Sequence, residues 1–408
     1  MTATTLKRSS AQKRRTPATT RRSRLLMRVK RNSLVTQLTV IIIFLCLIGT
    51  AMVMSASSVE SLNNGSGAYA FVTKHLINLT IGAGFFWGIS RFDYRAWLKL
   101  GPIVLGVAVL TLVAVLIPGI GIVHNEARRW LGVGPFEFQP SELVKFPLAV
   151  VLAGILASRE KAGELRSIRR TLLPVAGITG LIAVLILVQP DFDSTLVILG
   201  FVAGMLILVG IPKTWLFGAA LGVAGLTYYQ LSEPVRKARL LVFINPWEDA
   251  LNTGYQSIAG YTSLALGGWF GTGPGTSTAK WGFLPVAYSD FVFAVIGEEF
   301  GVVGCLAVVS CFIAFGVIGF KIALRAPDRF GTLLASGLTL TVLIQAAINI
   351  GMVVGILPVS GLTLPFISYG GTSLILMLSA AGILCNIAYQ GRPQVASIKA
   401  APKVKSRG

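Results

Sequence analysis

Ten runs of roughly twenty largely apolar residues follow one another between positions 34 and 390, each about the length a helix needs to cross a bilayer. They are 34–54, 71–90, 97–117, 141–157, 171–188, 194–211, 213–230, 290–320, 332–357 and 370–390. In hydrocarbon a backbone has to satisfy its own polar groups, which restricts such runs to helices. Charged residues make up only 13% of the 408, against about 25% in soluble domains. The sequence therefore predicts an all-α integral membrane protein with ten transmembrane helices. Pro212 alone separates the sixth run from the seventh. The 290–320 run exceeds one bilayer thickness, so it has to project, tilt or bend.

Charge orients the array. With the N-terminus inside and the spans alternating, most of the 36 Lys and Arg fall in 1–33, 91–99, 158–170, 212–213, 321–331 and 391–408. Such a bias marks cytoplasmic segments and puts both termini in the cytoplasm. The large extracytoplasmic loop is then 231–289, between helices 7 and 8. Three regions result: a basic tail at 1–33, a membrane domain at 34–390 and a second basic tail at 391–408. The net charge of +20 does not point to nucleic acid, because the tails are poor in aromatic residues and hold no binding motif for it. Polybasic segments beside a span attract anionic membrane lipid instead, at about 1 kcal/mol per base. Residues 1–57 are too long in their basic and apolar parts for a cleaved leader. Cys46, Cys305, Cys311 and Cys385 lie in spans, show no metal spacing and read as packing residues. His75 and His124 belong to no visible triad.

The unusual polar residues gather at the span ends that this topology places outside. They include Gln139-Pro140-Ser141-Glu142, Gln189-Pro190-Asp191-Phe192-Asp193, Gly361 to Gly371 with Ser368, and Asp290. Pro140 suits the first position of a helix, and Glu142 in its first turn meets the positive end of the dipole. Lys145 lies a turn deeper among Leu143, Val144, Phe146 and Leu148. It shares a face with Glu142 and needs an acidic partner, for which Asp191 or Asp193 is in range. Asp191 and Asp193 also suit the cap of the next helix. Asp290 lacks a capping-box partner, since Val292 and Phe293 stand where Glu or Gln would be. Glu298 lies eight residues on and about 12 Å deeper, near the same helix face. Two acids on one face of an apolar helix suggest a hydrated cavity. Arg128 and Arg129 read either as solvated loop charge or as an anion site, since Arg presents a planar fork to phosphate oxygens. Outer acids, outer bases and an apolar surround suit an amphiphile with an anionic head and a lipid tail.

In this order the motifs resemble the SEDS family of polytopic membrane glycosyltransferases. The resemblance runs from about Leu34 to Tyr389. It is carried by Ala127-Arg128-Arg129-Trp130, Gln139-Pro140-Ser141-Glu142-Leu143 with Lys145, and Gln189-Pro190-Asp191-Phe192. Gly254-Tyr255-Gln256, Gly267-Gly268-Trp269-Phe270-Gly271, Asp290-Phe291 with Gly297-Glu298-Glu299, and Gly361 to Gly371 complete it. Trp247 after Pro246, Arg128-Arg129 and Gly361-Leu362-Thr363-Leu364 look more like the FtsW-like division branch than the RodA-like elongation branch. Two departures stand out. The family commonly has Glu and His where this chain has Val286 and Tyr288, and Gly-Thr where it has Asp193-Ser194.

The resemblance implies polymerisation of lipid II, the undecaprenyl-diphosphate-linked disaccharide pentapeptide, into peptidoglycan glycan strands. The site would lie at the outer face of a bacterial cytoplasmic membrane, at the division septum. It also implies a class B penicillin-binding transpeptidase and other division proteins as partners. Asp290 aligns with the family's proposed catalytic residue and is expected to act as general base. Lys145, Arg128 and Arg129 are expected to meet the departing diphosphate. A divalent cation, Mg or Mn, held by Asp191, Glu142 or Glu298 is a further expectation. Gln139 and Ser368 complete the expected substrate-binding set. A lipid II flippase and a non-enzymatic division scaffold are the rival readings. The first predicts polar groups through the full membrane depth, and the second leaves Asp290 unexplained.

Overall fold

The computed structural model describes residues 19–391, except 64, 66, 68, 125–126, 134–135, 213, 216, 219–220, 223–224 and 226–240. Most of the two basic tails, the bases Arg236, Lys237 and Arg239, and much of the expected 213–230 span lie outside the described residues. Three long helices come first: α1 (Thr19–Asn63), α2 (Ala70–Arg91) and α3 (Trp97–Leu116). After a small sheet come α4 (Pro140–Lys161), α5 (Leu173–Val188) and α6 (Phe192–Val209). A shorter helix, α7 (Tyr255–Gly267), precedes α8 (Val292–Leu324), α9 (Arg329–Val353) and α10 (Gly371–Gln390). Among the described residues eight helices are long and apolar enough to cross a membrane. The fold is thus that of a multi-pass membrane protein. α2 has the length, but Lys74, His75 and Asn78 keep it out of those eight.

One expectation is corrected. The chain is not all-α, because the connection between α3 and α4 forms an antiparallel sheet in the order β1 (Gly121–His124), β2 (Ala127–Val133), β3 (Phe136–Phe138). Leu131 opposite Phe138 and Val133 opposite Phe136 are apolar cross-strand pairs of the kind that stabilise such ribbons. Within the 231–289 connection, α7 packs along the start of α8.

Local chemistry sets the helix ends. Pro140 opens α4. The Asp191 side chain caps α6 by accepting from Ser194 N, and Gly210 closes that helix in the left-handed region. Asp328 caps α9 through Gly331 N. The helices at the centre, α4, α9 and α10, are the most buried. α1 to α6 run alternately up and down. Asn386 of α10 meets Tyr94 just before α3, and Arg329 of α9 meets Glu160 of α4. Those contacts mark one end of the bundle, and Asp290, the sheet and the start of α4 mark the other.

The overlong run bends. Inside α8, Gly301 has φ 66° and ψ −164°, a conformation essentially reserved for glycine. The break is filled by the chain that follows α7. Val302 and Val303 N–H donate to the carbonyls of Gly268 and Trp269, at 3.0 and 3.2 Å. Thr272 and Gly273 N–H donate to the carbonyls of Glu298 and Glu299, at 2.9 and 3.1 Å. A broken helix at membrane depth is tolerated where another segment satisfies its freed groups. The contact requires glycine at both backbones. A methyl on Gly301 would lie 2.5 Å from Gly271 N, and one on Gly271 would lie 2.1 Å from Glu299 O. The Gly267-to-Gly273 motif is the wedge in that break.

Candidate functional site

Asp290 sits in a turn just ahead of α8, half-buried. Three elements converge on it. Asn349 of α9 donates from Nδ2 to the Asp290 carbonyl, 2.8 Å, and to the Leu362 carbonyl, 2.6 Å. Ser289 Oγ donates to Asp290 Oδ1, 2.8 Å. Gly361 faces Oδ2, where a methyl in its place would stand 3.8 Å away. The Gly361 N–H donates to Asp193 Oδ2 in the first turn of α6, 3.0 Å. The segment between α9 and α10 therefore runs beside the carboxylate, tied from α6 on one side and from α9 on the other.

The other acids are engaged elsewhere. Asp191 is buried and accepts from Gln139 Nε2 at 2.9 Å and Ser141 Oγ at 2.7 Å, besides its own cap at Ser194 N. Its carboxylate thus joins the start of α4 to the start of α6. Lys145 is not its partner, contrary to the pair expected between them. Lys145 Nζ bonds Glu142 Oε1 at 2.6 Å and Gln345 Oε1 at 2.9 Å, all within the core. Helical spacing decides this, because Glu142 stands one turn away on the same face. Gln345 passes the chain on, donating from Nε2 to the Thr363 carbonyl at 3.1 Å and to Ser373 Oγ at 3.3 Å.

Glu298 does not line a cavity below Asp290. It is fully buried, and its carboxylate accepts from Ser277 Oγ, Thr278 N and Thr278 Oγ1 at 2.6–2.7 Å. It holds the loop that follows the wedge. Glu299 accepts from Ser55 Oγ of α1. Ser368 is buried and closes a turn with Leu364, accepting its N–H at 2.9 Å. Asp191, Glu142 and Glu298, the alternative holders expected for a divalent cation, thus each have separate partners. Among the described residues no three His, Cys, Asp or Glu side chains gather as a metal cluster.

Arg128 and Arg129 lie half-buried on β2. Arg129 donates from Nε to the Gln189 carbonyl at 3.2 Å and from Nη2 to the Pro190 carbonyl. The sheet thus carries a guanidinium to the turn that leads into Asp191.

Aromatic side chains border Asp290. Tyr288 packs on Phe71 at 4.7 Å and on Tyr369 at 5.6 Å between ring centroids, and its hydroxyl donates to Glu60 Oε1 at 3.2 Å. Burial pushes the Tyr288 hydroxyl well above its ordinary range, and the Glu60 charge adds to this. Tyr288 is therefore a neutral hydrogen-bond donor at ordinary pH. Among the described residues the non-glycine positions with positive φ are Pro190, Val286 and Phe366, at 30°, 53° and 66°. For Val286 and Phe366 this costs of order 1–3 kcal/mol each. All three lie in the segments around Asp191, Asp290 and Gly361. Such strain persists only where the surroundings hold it, and it collects at functional sites.

Gln345, Asn349 and Glu60 were not singled out from the sequence. A signal existed for two of them. Gln345 and Asn349 are amides four residues apart in an apolar span, and therefore on one face. Glu60 carried no local signal.

Comparison with known proteins agrees with this geometry. The cell cycle protein family FtsW/RodA/SpoVE matches residues 36–392. Stage V sporulation protein E of Bacillus subtilis is 37% identical over 367 residues, 90% of this chain and 100% of that protein. A probable peptidoglycan glycosyltransferase FtsW of Pseudomonas fluorescens is 38% identical over 362 residues, 86% of each chain. A chain of a solved peptidoglycan synthase complex that coordinates polymerization and crosslinking superposes with a TM-score of 0.70 at 28% identity. It covers 87% of this chain and 96% of that one. The rod shape determining protein RodA of Thermus thermophilus gives 0.63 at 26% identity, covering 86% and 95%.

Proposed function

The chain belongs to the FtsW/RodA/SpoVE family of cell cycle proteins and is a peptidoglycan glycosyltransferase; we propose that it polymerises lipid II into glycan strands during septal wall synthesis. In this reading the ten-span topology holds, both termini are cytoplasmic, and the Asp290 end of the bundle faces outward. Lipid-linked substrate reaches the site there with its tail in the bilayer.

The observation that carries the reading is Asp290 itself. It is a half-buried carboxylate in the turn ahead of α8, where Asn349 of α9 holds its carbonyl and the Gly361 segment, tied to α6, runs beside its Oδ2. The acceptor sugar's 4-hydroxyl is a weak nucleophile. Asp290 takes its proton as the oxygen attacks the donor's anomeric carbon, and a positioned base is worth about 10²–10⁴-fold. The bond to the diphosphate breaks with inversion. Diphosphate leaves as an anion and needs charge rather than a proton, so no second carboxylic acid is required of the kind glycosidases use. Arg128 and Arg129 supply positive charge at that end. Lys145 works one layer deeper, where its bond to Gln345 supports the Thr363 segment. No step is assigned to a metal held by the protein. A class B penicillin-binding transpeptidase is the partner this reading calls for, alongside other division proteins.

The test is Asp290→Asn in purified full-length protein given lipid II, with and without the transpeptidase. Loss of polymer in a variant that melts like the parent supports the base. Polymer formed at the parental rate ends the assignment. Scoring lipid II translocation in the same vesicles separates a polymerase from a flippase.

A further inference from the structure

Asp193 lies in the first turn of α6, and it is not the cap of its helix. That work belongs to Asp191, which accepts from Ser194 N. The Asp193 carboxylate instead leaves α6 and accepts the Gly361 N–H at 3.0 Å. Two atoms of the same short segment are then held from opposite sides. Asp193 grips the nitrogen of Gly361, and Asn349 grips the carbonyl of Leu362 while also holding the carbonyl of Asp290. One amide group of Asn349 thus fixes Gly361-Leu362 relative to Asp290, and Asp193 fixes how far that segment swings towards α6.

The position of Gly361 matters because it lies against Asp290 Oδ2. A methyl there would lie 3.8 Å from Asp290 Oδ2. A hydroxyl giving its proton to that oxygen has to approach to about 2.7 Å. The placement of the Gly361 backbone therefore sets the room beside the carboxylate. A charge-assisted bond to a backbone N–H is among the stronger ties available, and the positive end of α6 steadies the carboxylate that makes it.

We infer that Asp193 is a positioning residue for the glycosyl transfer: through the Gly361 N–H it sets the wall of the site against the Asp290 carboxylate. The inference rests on Asp290 being the base.

The experiment measures polymer formation from lipid II and thermal melting for Asp193→Ala, Asp193→Asn, Gly361→Ala and Asp290→Asn in the full-length protein. Asp193→Ala is expected to lower kcat roughly tenfold with KM little changed, the scale of a small misplacement at a reacting group. Asp193→Asn keeps an oxygen that accepts the same N–H and is expected to recover to within about threefold of the parent. Gly361→Ala keeps the tie but narrows the approach, so its loss appears in KM as well as kcat. Parental rates in Asp193→Ala overturn the inference. So does an Asn variant as slow as Ala at unchanged melting, which would assign the effect to charge. If Asp193→Ala fails to fold, Gly361→Ala decides, and parental kinetics there remove the wall. Full activity in Asp290→Asn overturns the base beneath the inference. An inactive Asp290→Asn beside a fully active Asp193→Ala overturns the inference alone.

Discussion

The two ends of the bundle use charge in opposite ways. At the end opposite Asp290 the charged groups pair with one another near the surface. Arg95 meets Asp328 at 2.8 Å, Arg329 meets Glu160 at 2.5 Å, and Glu164 takes Arg159 at 3.0 Å together with Arg170. Their side chains stay between a fifth and two thirds exposed. At the Asp290 end, Asp191, Glu142, Lys145, Glu298 and Glu299 are nearly or fully buried. Each bonds a group on a different turn or element. Exposed pairs are worth about 0–1 kcal/mol, whereas a buried group stripped of its partner costs about 1–3 kcal/mol or more. One end is therefore tolerant and the other tightly specified. The specified end is where a half-buried carboxylate remains beside an open glycine.

The contrast can be broken in graded steps. The largest effect belongs to Asp290→Asn, expected to reduce polymer formation by about 10²–10⁴-fold without lowering the melting temperature. An assay of strand length from lipid II reads it. Lys145→Met comes next, because it leaves Glu142 buried and uncompensated. Breaking such a pair costs about 3–5 kcal/mol, seen as a large drop in melting temperature in detergent. The double variant Glu142→Gln/Lys145→Met should recover much of that loss; no recovery would show that the pair is not the coupled unit. Gly301→Ala forces a methyl onto the wedge backbone and a conformation glycine alone adopts easily, for about 3 kcal/mol or more. Proteolysis of the 268–281 loop should rise with it.

At the other end the expected effects shrink. Glu160→Gln, which removes the partner of Arg329, should cost less than about 1 kcal/mol and leave polymer formation intact. Glu164 is held below its ordinary value of 4.5, first by the Arg170 bond and then by Arg159. A carboxyl depressed in the folded state lends stability above its unfolded value, and that stability goes as pH falls through the folded value. Acid melting curves below about pH 4.5 should therefore flatten slightly in Glu164→Gln. A large change would mean that this end is as specified as the other.

Much of this was legible in local sequence. Pro140 at a helix start, Asp191 ahead of Ser194 and a run too long for one bilayer thickness each act through near neighbours. The structure shows the opening of α4, the cap of α6 and the break in α8 at those places. The glycines of the Gly267-to-Gly273 motif were visible as a motif. Their purpose was not, because it depends on a helix that starts about twenty residues later. The eight-residue spacing of Asp290 and Glu298 suggests one helix face and one cavity, whereas Asp290 sits in the turn ahead of α8 and Glu298 is fully buried. Ser277 and Thr278 reach Glu298 from a loop whose path no periodicity describes.

Apolar run length and capping chemistry determine the helices of this protein, since backbone satisfaction in hydrocarbon leaves no other solution. They also determine that several carboxylates crowd the span ends. Tertiary structure decides which partner each of those carboxylates meets. Asp191 finds Gln139, Glu142 finds Lys145, Glu298 finds Thr278, and Asp290 finds Ser289 beside Gly361. Hydrogen bonds between elements depend on where two distant segments meet, and a buried acid is silenced or kept by partners that its own neighbourhood in the chain does not name.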